Sequence, residues 1–466
     1  MTSNTTVLRP LPGQQPMPAG AYDLAALGYV EEEFAFSGDA ASYRLAGERS
    51  PDGRWIAEPG NARPFTTRLL VRRPAAGTEF SGTVVVEWMN VSGGVDVPPI
   101  WMMTHTHLTR RRHAWVGVTA QRAGIEGGGL VDNGMQLKKL FPDRYAILSH
   151  PGDAWSYDIF SQAGHEVRHG GVLGDLAAAR LIAAGHSQSA AFLTTYLNAF
   201  DEQAGVFDGF AVHGRLASGS PLDGGPFRPP PQGARAAGVA EQIRPDLRAP
   251  VIVLQTETDQ ALLGGGQIAQ PDGELLRSWE LAGAAHGDTY LLIASGQDDG
   301  ALPAAQLADL IRPTDDVPFM GKTDLPINSG LQHRYVACGA LDHLDAWASG
   351  GTAPPAAPRL DLTADGLDYN RDALGIATGG IRTPWTDVPA AVLSGVGQTG
   401  QNLFSFLFGV TRPLADAQLA ELYPGGRTDY LSRFELSLDT AIAGGFVLGD
   451  DRAEALAVAD ASWPGG

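Results

Sequence analysis

A mostly parallel, doubly wound α/β sheet is the fold class this 466-residue sequence predicts. Three observations carry the expectation: short Val-rich runs recur through residues 1–290 without polar alternation, helix-like stretches separate them, and several runs end in small or polar residues. Unalternated apolar runs fit strands covered on both faces, and their interleaving with helices implies parallel neighbours.

The runs are Thr66 to Arg72, Thr83 to Trp88, Ala114 to Ala120, Leu181 to Ala184, Gly209 to Val212, Val251 to Gln255 and Trp279 to Ala282. The helix-like stretches are Ile159 to Arg168, Ser189 to Phe200 and Gln267 to Arg277. Two segments break the rhythm, at about 121–153 and 214–250, and read as long loop insertions. The second contains Arg228-Pro-Pro-Pro-Gln-Gly, an extended stretch by composition. From about residue 291 the pattern turns to helical segments such as Leu331 to Ala348 and to Pro-rich connections at Ala353 to Pro358. Residues 1–290 are therefore expected to form the core, with 291–466 as an appended, mainly helical region packing over it.

A formal charge of −19 repels phosphate backbones and anionic headgroups, which makes nucleic acid and membranes poor partners. Cys338, the one cysteine, can form no intramolecular disulfide and is expected as a buried small hydrophobe. The first residues lack a basic segment leading into an apolar stretch, and no apolar run approaches the roughly 18 residues that span a bilayer. A cytoplasmic location is the expectation.

The chemistry begins at Leu181-Ile-Ala-Ala-Gly185-His-Ser187-Gln-Ser189-Ala-Ala, a strand, a tight turn and a helix start with a serine at the apex. Small residues two before and two after the serine let strand and helix approach while Oγ projects from the sheet edge, the layout of the nucleophile elbow in α/β-hydrolases. Position 189 is Ser where Gly is more usual. A serine hydroxyl needs a base, and the base a group that fixes its tautomer, arriving in the order Ser, acid, His. Val251 to Thr256 is an apolar strand delivering Glu257 and Asp259 at its carboxyl end, and the run from Trp279 delivers His286 to the same edge. Asp259 is the expected acid and Glu257 the alternative. Asp288 is expected to cap the helix that follows. An oxyanion formed at Ser187 needs N–H donors: Gln188 by position, and Val91 or Asn90 from the loop after the strand at Thr83. A histidine base must be neutral, so activity should rise from about pH 6 to 8.

The sequence resembles a family of bacterial α/β-hydrolases known mainly as predicted carboxylesterases, the alpha/beta hydrolase domain-containing family. The resemblance rests on Val84-Val-Val-Glu-Trp-Met-Asn-Val-Ser-Gly-Gly94, Trp115 to Arg122, His150 to Gln162, Gly185-His-Ser-Gln-Ser189 and Trp279 to Asp288, and extends to Phe408-Gly-Val-Thr-Arg-Pro413. It implies a Ser-His-acid esterase without metal or organic cofactor, acting on a small-molecule ester. Substrate does not carry over, and oligomeric state is open. The same triad would serve an acyltransferase or an amidase, and a non-catalytic binding protein on this fold is the rival from another class.

Other clusters admit plainer accounts. His105, His107 and His113 lead into the strand at Ala114 without a carboxylate at ligand spacing, so no metal site is expected there. Asp342-His343-x-Asp345 reads as surface charge on a helix, and is the second-choice site. Trp88, Trp101, Trp155 and Tyr157 lie near strand ends, where they would line a substrate pocket or fill the core.

Overall fold

The computed structural model describes residues 6–13, 20, 22–76, 78–225 and 240–464. A nine-stranded sheet holds β1 (Val7–Pro10), β2 (Tyr29–Leu45), β3 (Ala57–Pro74), β4 (Thr83–Trp88), β5 (Ala114–Val118), β6 (Arg180–His186), β7 (Gly209–His213), β8 (Val251–Thr256) and β9 (Leu276–Leu281) in the order β1-β2-β3-β5-β4-β6-β7-β8-β9. From β5 to β9 every neighbouring pair is parallel. The mostly parallel sheet expected from the Val-rich runs is therefore present.

Successive side chains of a strand point to opposite faces. Val84 and Val86 accordingly join one apolar cluster while Val85 joins the other, and Leu181 and Ile182 divide the same way. One face is covered by α1 (Pro99–Arg110) and the other by α2 (Ser156–His169) and α3 (Gln188–Ala199). Trp101 and Leu108 of α1 pack with Val85, whereas Phe160 of α2 and Leu193 of α3 pack with Val84. The start of α1 is tied to the end of β4: the buried Glu87 carboxylate accepts the N–H groups of Ile100 (2.8 Å) and Trp101 (2.9 Å) and the Trp115 indole N–H (2.8 Å).

Beyond β9 come α4 (Gln332–Ala348), α5 (Gly426–Ala443) and α6 (Arg452–Ala461), with a two-stranded hairpin pairing Ala391–Ser394 and Val410–Pro413. Tyr335, Leu341 and Leu344 of α4 join the same cluster as Trp101 and Ile252, so this helix completes the cover of the first face. Cys338 is buried on it, and burial pushes its thiol above the ordinary range. Among the described residues no helix is long and apolar enough to cross a membrane.

Two segments differ from the expectation. Residues 267–277 were expected as a helix; instead a short turn, Gly265–Ile268, gives way to extended chain and to β9. Pro271 and Gly273 interrupt any helix there, and Leu276 begins the strand. The β2–β3 hairpin, 17 and 18 residues long, is visible in the sequence only at Thr66 to Arg72. Its charges hid it: Glu31, Glu32 and Glu33 pair across the strands with Arg72 (2.7 Å), Arg73 (2.7 Å) and Arg68 (3.2 Å), so a run that looks polar is a satisfied sheet. The Arg228-Pro-Pro-Pro-Gln-Gly stretch lies outside the described residues.

Candidate active site

Ser187 stands between β6 and α3 with φ 63° and ψ −121°, one of three described non-glycine residues with positive φ. This conformation is costly for a side chain bearing Cβ, and such strain concentrates at functional sites. From Leu181 to Phe200 every residue but Ser187 is buried, and Ser187 is partly exposed. The elbow is fastened by the Ser187 N–H, which donates to the His213 carbonyl on β7 (2.9 Å). Gly185 permits the close crossing: a Cβ there would stand 3.0 Å from the Ser189 backbone and 3.1 Å from Leu193 Cδ1. Ser189 fills the place of the more usual glycine, and its Oγ is buried without a partner among the described residues.

Two strands further along the sheet, β8 ends in Thr256, whose side chain caps the short helix Glu257–Ala261. The cap places Asp259: its Oδ2 accepts the Thr256 N–H (2.7 Å) and hydroxyl (2.8 Å). Its Oδ1 lies 2.5 Å from His286 Nδ1, and the His286 N–H donates to Thr258 Oγ1 (3.1 Å). Both oxygens of this fully buried carboxylate are thus engaged, which orients the imidazole with Nε2 away from the acid. Glu257 faces elsewhere. Its Oε1 accepts the Gly283 N–H (2.6 Å), and its Oε2 accepts Ser394 Oγ (2.9 Å) and the Gly395 N–H (2.8 Å). Burial raises its carboxyl above the usual range, and the three donors act against that.

The His286 ring reaches the elbow through His186, the residue before the serine: their ring centroids are 4.4 Å apart at 33°. Gly214, with φ 61°, leaves room beside both rings, since a Cβ there would meet His286 Cε1 at 3.0 Å and His186 Nε2 at 3.3 Å. Ser187 Oγ makes no hydrogen bond among the described residues. Ser187, Asp259 and His286 therefore gather at the carboxyl edge of the parallel strands, where open α/β sheets bind ligands.

The loop after β4 lies against the same turn. Asn90 Nδ2 donates to the His186 carbonyl (2.9 Å), while the Asn90 N–H donates to Val97 O (2.8 Å) and is spent inside the loop. The Val91 N–H has no acceptor among the described residues, and Gln188, at the first position of α3, has none within the helix. Asn90, expected as a backbone donor, thus acts through its side chain, and Val91 and Gln188 keep the free N–H groups. Beside the turn is a small apolar cluster of Ala191, Leu216 and Leu263, with Phe406 and Leu407 packed on it. Leu407 is held by its carbonyl, which accepts the Gly287 N–H (3.0 Å).

The other clusters lie away from this edge. Asp345 accepts Thr83 Oγ1 (2.7 Å) and Arg180 Nε (2.9 Å) at the amino ends of β4 and β6, and His343 Nε2 is bonded to the Gly445 carbonyl (2.8 Å). His105 bonds backbone carbonyls, and His113 Nδ1 meets Ser81 Oγ at 2.7 Å. Among the described residues no group of three or more His, Cys, Asp or Glu is arranged to hold a metal. Trp88, Trp101 and Tyr157 are fully buried core residues, Trp88 lying against Phe160 and Phe192; Trp155 instead carries Arg63 over its ring at 4.8 Å. Asp288 Oδ1 caps the helical turn after it by accepting the Leu291 N–H (2.8 Å). Three histidines the sequence did not single out, His186, His213 and His333, stand behind the serine turn. The one local signal was that His186 and His213 each end an apolar strand.

A parallel sheet in this order, with a strand, serine and helix apex on an inner strand, is the architecture of an α/β-hydrolase. The chain belongs to that family: the alpha/beta hydrolase domain model matches residues 5–457. Among solved structures the chain is similar to a lidless α/β serine hydrolase from Xanthomonas campestris (11% identity, 52% of this chain and 84% of that one, TM-score 0.28). It is also similar to a thermostable esterase from Pseudomonas putida (14% identity, 56% and 75%, TM-score 0.28) and to esterases from Rhizomucor miehei (12% identity, 54% and 77%, TM-score 0.29). No curated protein matches the sequence.

Proposed function

We propose that the protein is a serine esterase that cleaves a carboxylic ester through an acyl-enzyme. The observation that carries this reading is the strained Ser187 on the β6–α3 turn, with the buried Asp259–His286 pair delivered to the same edge in the order Ser, Asp, His. Ser187 Oγ attacks the ester carbonyl as His286 Nε2 takes its proton, and Asp259 holds the imidazolium that forms. The Val91 and Gln188 N–H groups receive the oxyanion, aided by the positive end of α3. His286 then protonates the departing alcohol, and water attacks the acyl-enzyme through the same base.

The apolar cluster of Ala191, Leu216, Leu263, Phe406 and Leu407 supports an ester of moderate size and low charge. Phe406 and Leu407 come from the region beyond residue 291, which gives that region a part in shaping the site.

The test compares wild type with Ser187→Ala on p-nitrophenyl esters of increasing acyl length. Wild type is expected to turn over the short and medium esters, and the variant to lose about 10⁶-fold in kcat. A variant retaining more than a few per cent of the activity would remove Ser187 from the mechanism.

A further inference from the structure

Behind the serine turn runs a line of buried side chains. Asp288 Oδ2 is 2.9 Å from His333 Nδ1, and His333 Nε2 is 2.7 Å from His213 Nε2. The His213 ring stands edge-on to His186 at 4.7 Å, and His186 lies against His286 at 4.4 Å. His186 and His213 face each other in register on β6 and β7, while His333 comes from the second residue of α4. Asp288 and His333 are fully buried, and the other three rings are 4–5% exposed. The loop after β9 thus carries one member of each of two Asp–His couples: His286, paired with Asp259 in front, and Asp288, paired with His333 behind.

We propose that Asp288, His333 and His213 are positioning residues that fix the nucleophile turn and the His286 ring. The inference rests on the assignment of Ser187 and His286 above. The hydrogen bonds of this line share one polarity. A carboxylate only accepts, so a neutral His333 facing Asp288 carries its proton on Nδ1 and offers a bare Nε2 to His213. His213 must donate to it from Nε2–H, which fixes both the tautomer and the plane of the His213 ring. The consequences reach the serine by two routes. The His213 carbonyl receives the Ser187 N–H, and the His213 ring backs His186, on which His286 rests. Burial, together with the neighbouring imidazoles, pushes His186 and His213 well below the ordinary histidine range, which keeps those two rings neutral while His286 takes up a proton.

Two conservative variants separate positioning from mere packing. His333→Asn reaches Asp288 but not His213; His333→Gln places its amide nearer the Nε2 position and reaches His213. Rates on a p-nitrophenyl ester are divided by the sites titrated with a fluorophosphonate, so that any unfolded fraction cancels. His333→Asn should lower kcat about 10- to 100-fold with KM nearly unchanged, the scale of a misplaced nucleophile, and His333→Gln should recover most of the loss. Equal per-site kcat in wild type and both variants would overturn the proposal. In wild type, where no variant need fold, imidazole nitrogen NMR should read His213 as the Nε2–H tautomer; the Nδ1–H tautomer would overturn it. A wild type that neither labels nor turns over fails at the esterase reading instead, so the two failures are distinguishable.

Discussion

His286 Nδ1 lies 2.5 Å from Asp259 Oδ1, and the second Asp259 oxygen is held by the Thr256 N–H and hydroxyl. An acid fixed at both oxygens leaves the imidazole one orientation. Asp259→Asn should keep the fold but present an amide to His286, favouring the wrong tautomer and lowering kcat by about 10⁴-fold. Glu257→Gln disturbs a buried carboxylate bonded to Gly283, Ser394 and Gly395, so its effect should fall on the melting temperature. Steady-state kinetics and thermal melts of both variants check the assignment; a larger kcat loss in Glu257→Gln would reverse the roles of the two acids.

Ser187 carries its Cβ at positive φ, a strained conformation for a residue other than glycine. Ser187→Gly removes the Cβ and Ser187→Ala keeps it, while both remove the hydroxyl. The glycine variant should be the more stable of the two by about 1 kcal/mol, the difference between relieved strain and the added freedom of the unfolded chain. Urea denaturation measures this, and an alanine variant as stable as the glycine variant would mean the turn is unstrained.

Gly214 lies close against both the His186 and His286 rings, and its φ of 61° suits glycine. Gly214→Ala would push a methyl group against His286 Cε1 while straining the backbone. A fall in kcat of about 10²-fold is expected, in keeping with small displacements of a catalytic group. Kinetics per titrated site test it, and an unchanged kcat would show that the ring has room to move.

Stability should carry the mark of the buried histidines. His213 is held well below the ordinary range by burial and by His333 and His286; His186 on β6, His333 on α4 and Asp288 in the β9 loop also face this line. Unfolded, His213 titrates near pH 6.5. Below that pH the unfolded chain binds a proton here that the folded chain does not, so this group's contribution to stability falls as pH falls, by at most about 1.4 kcal/mol per pH unit. The lead of wild type over His213→Gln in urea midpoint should therefore narrow between about pH 7 and 5. A constant or widening lead would contradict the depressed titration.

Much of this was legible in the sequence because it is local. The unalternated runs announce strands buried on both faces, and Gly185, Ser187 and Ser189 mark a tight crossing between one strand and its helix. Asp259 and His286 follow as residues just past strand ends, where the parallel order makes their meeting at one edge predictable. What was hidden depends on distant partners. The β2–β3 hairpin has its charges neutralised across strands, as Glu31 and Arg72 show, and so resembles a polar loop. His333 is 120 residues from His213, on a helix whose own pattern does not say which strand lies beneath it. That the Asn90 N–H is consumed inside its own loop, by a single hydrogen bond to Val97, is likewise invisible in the sequence.

The central claim, that Ser187 is the nucleophile of an acyl-transferring site, is tested most directly by the intact mass of the protein after exposure to a fluorophosphonate. Wild type should gain one adduct, located by peptide mapping to Ser187, and Ser187→Ala and His286→Ala should gain none at the same exposure. A folded wild type that remains unmodified, or an adduct on a different serine, would contradict the account.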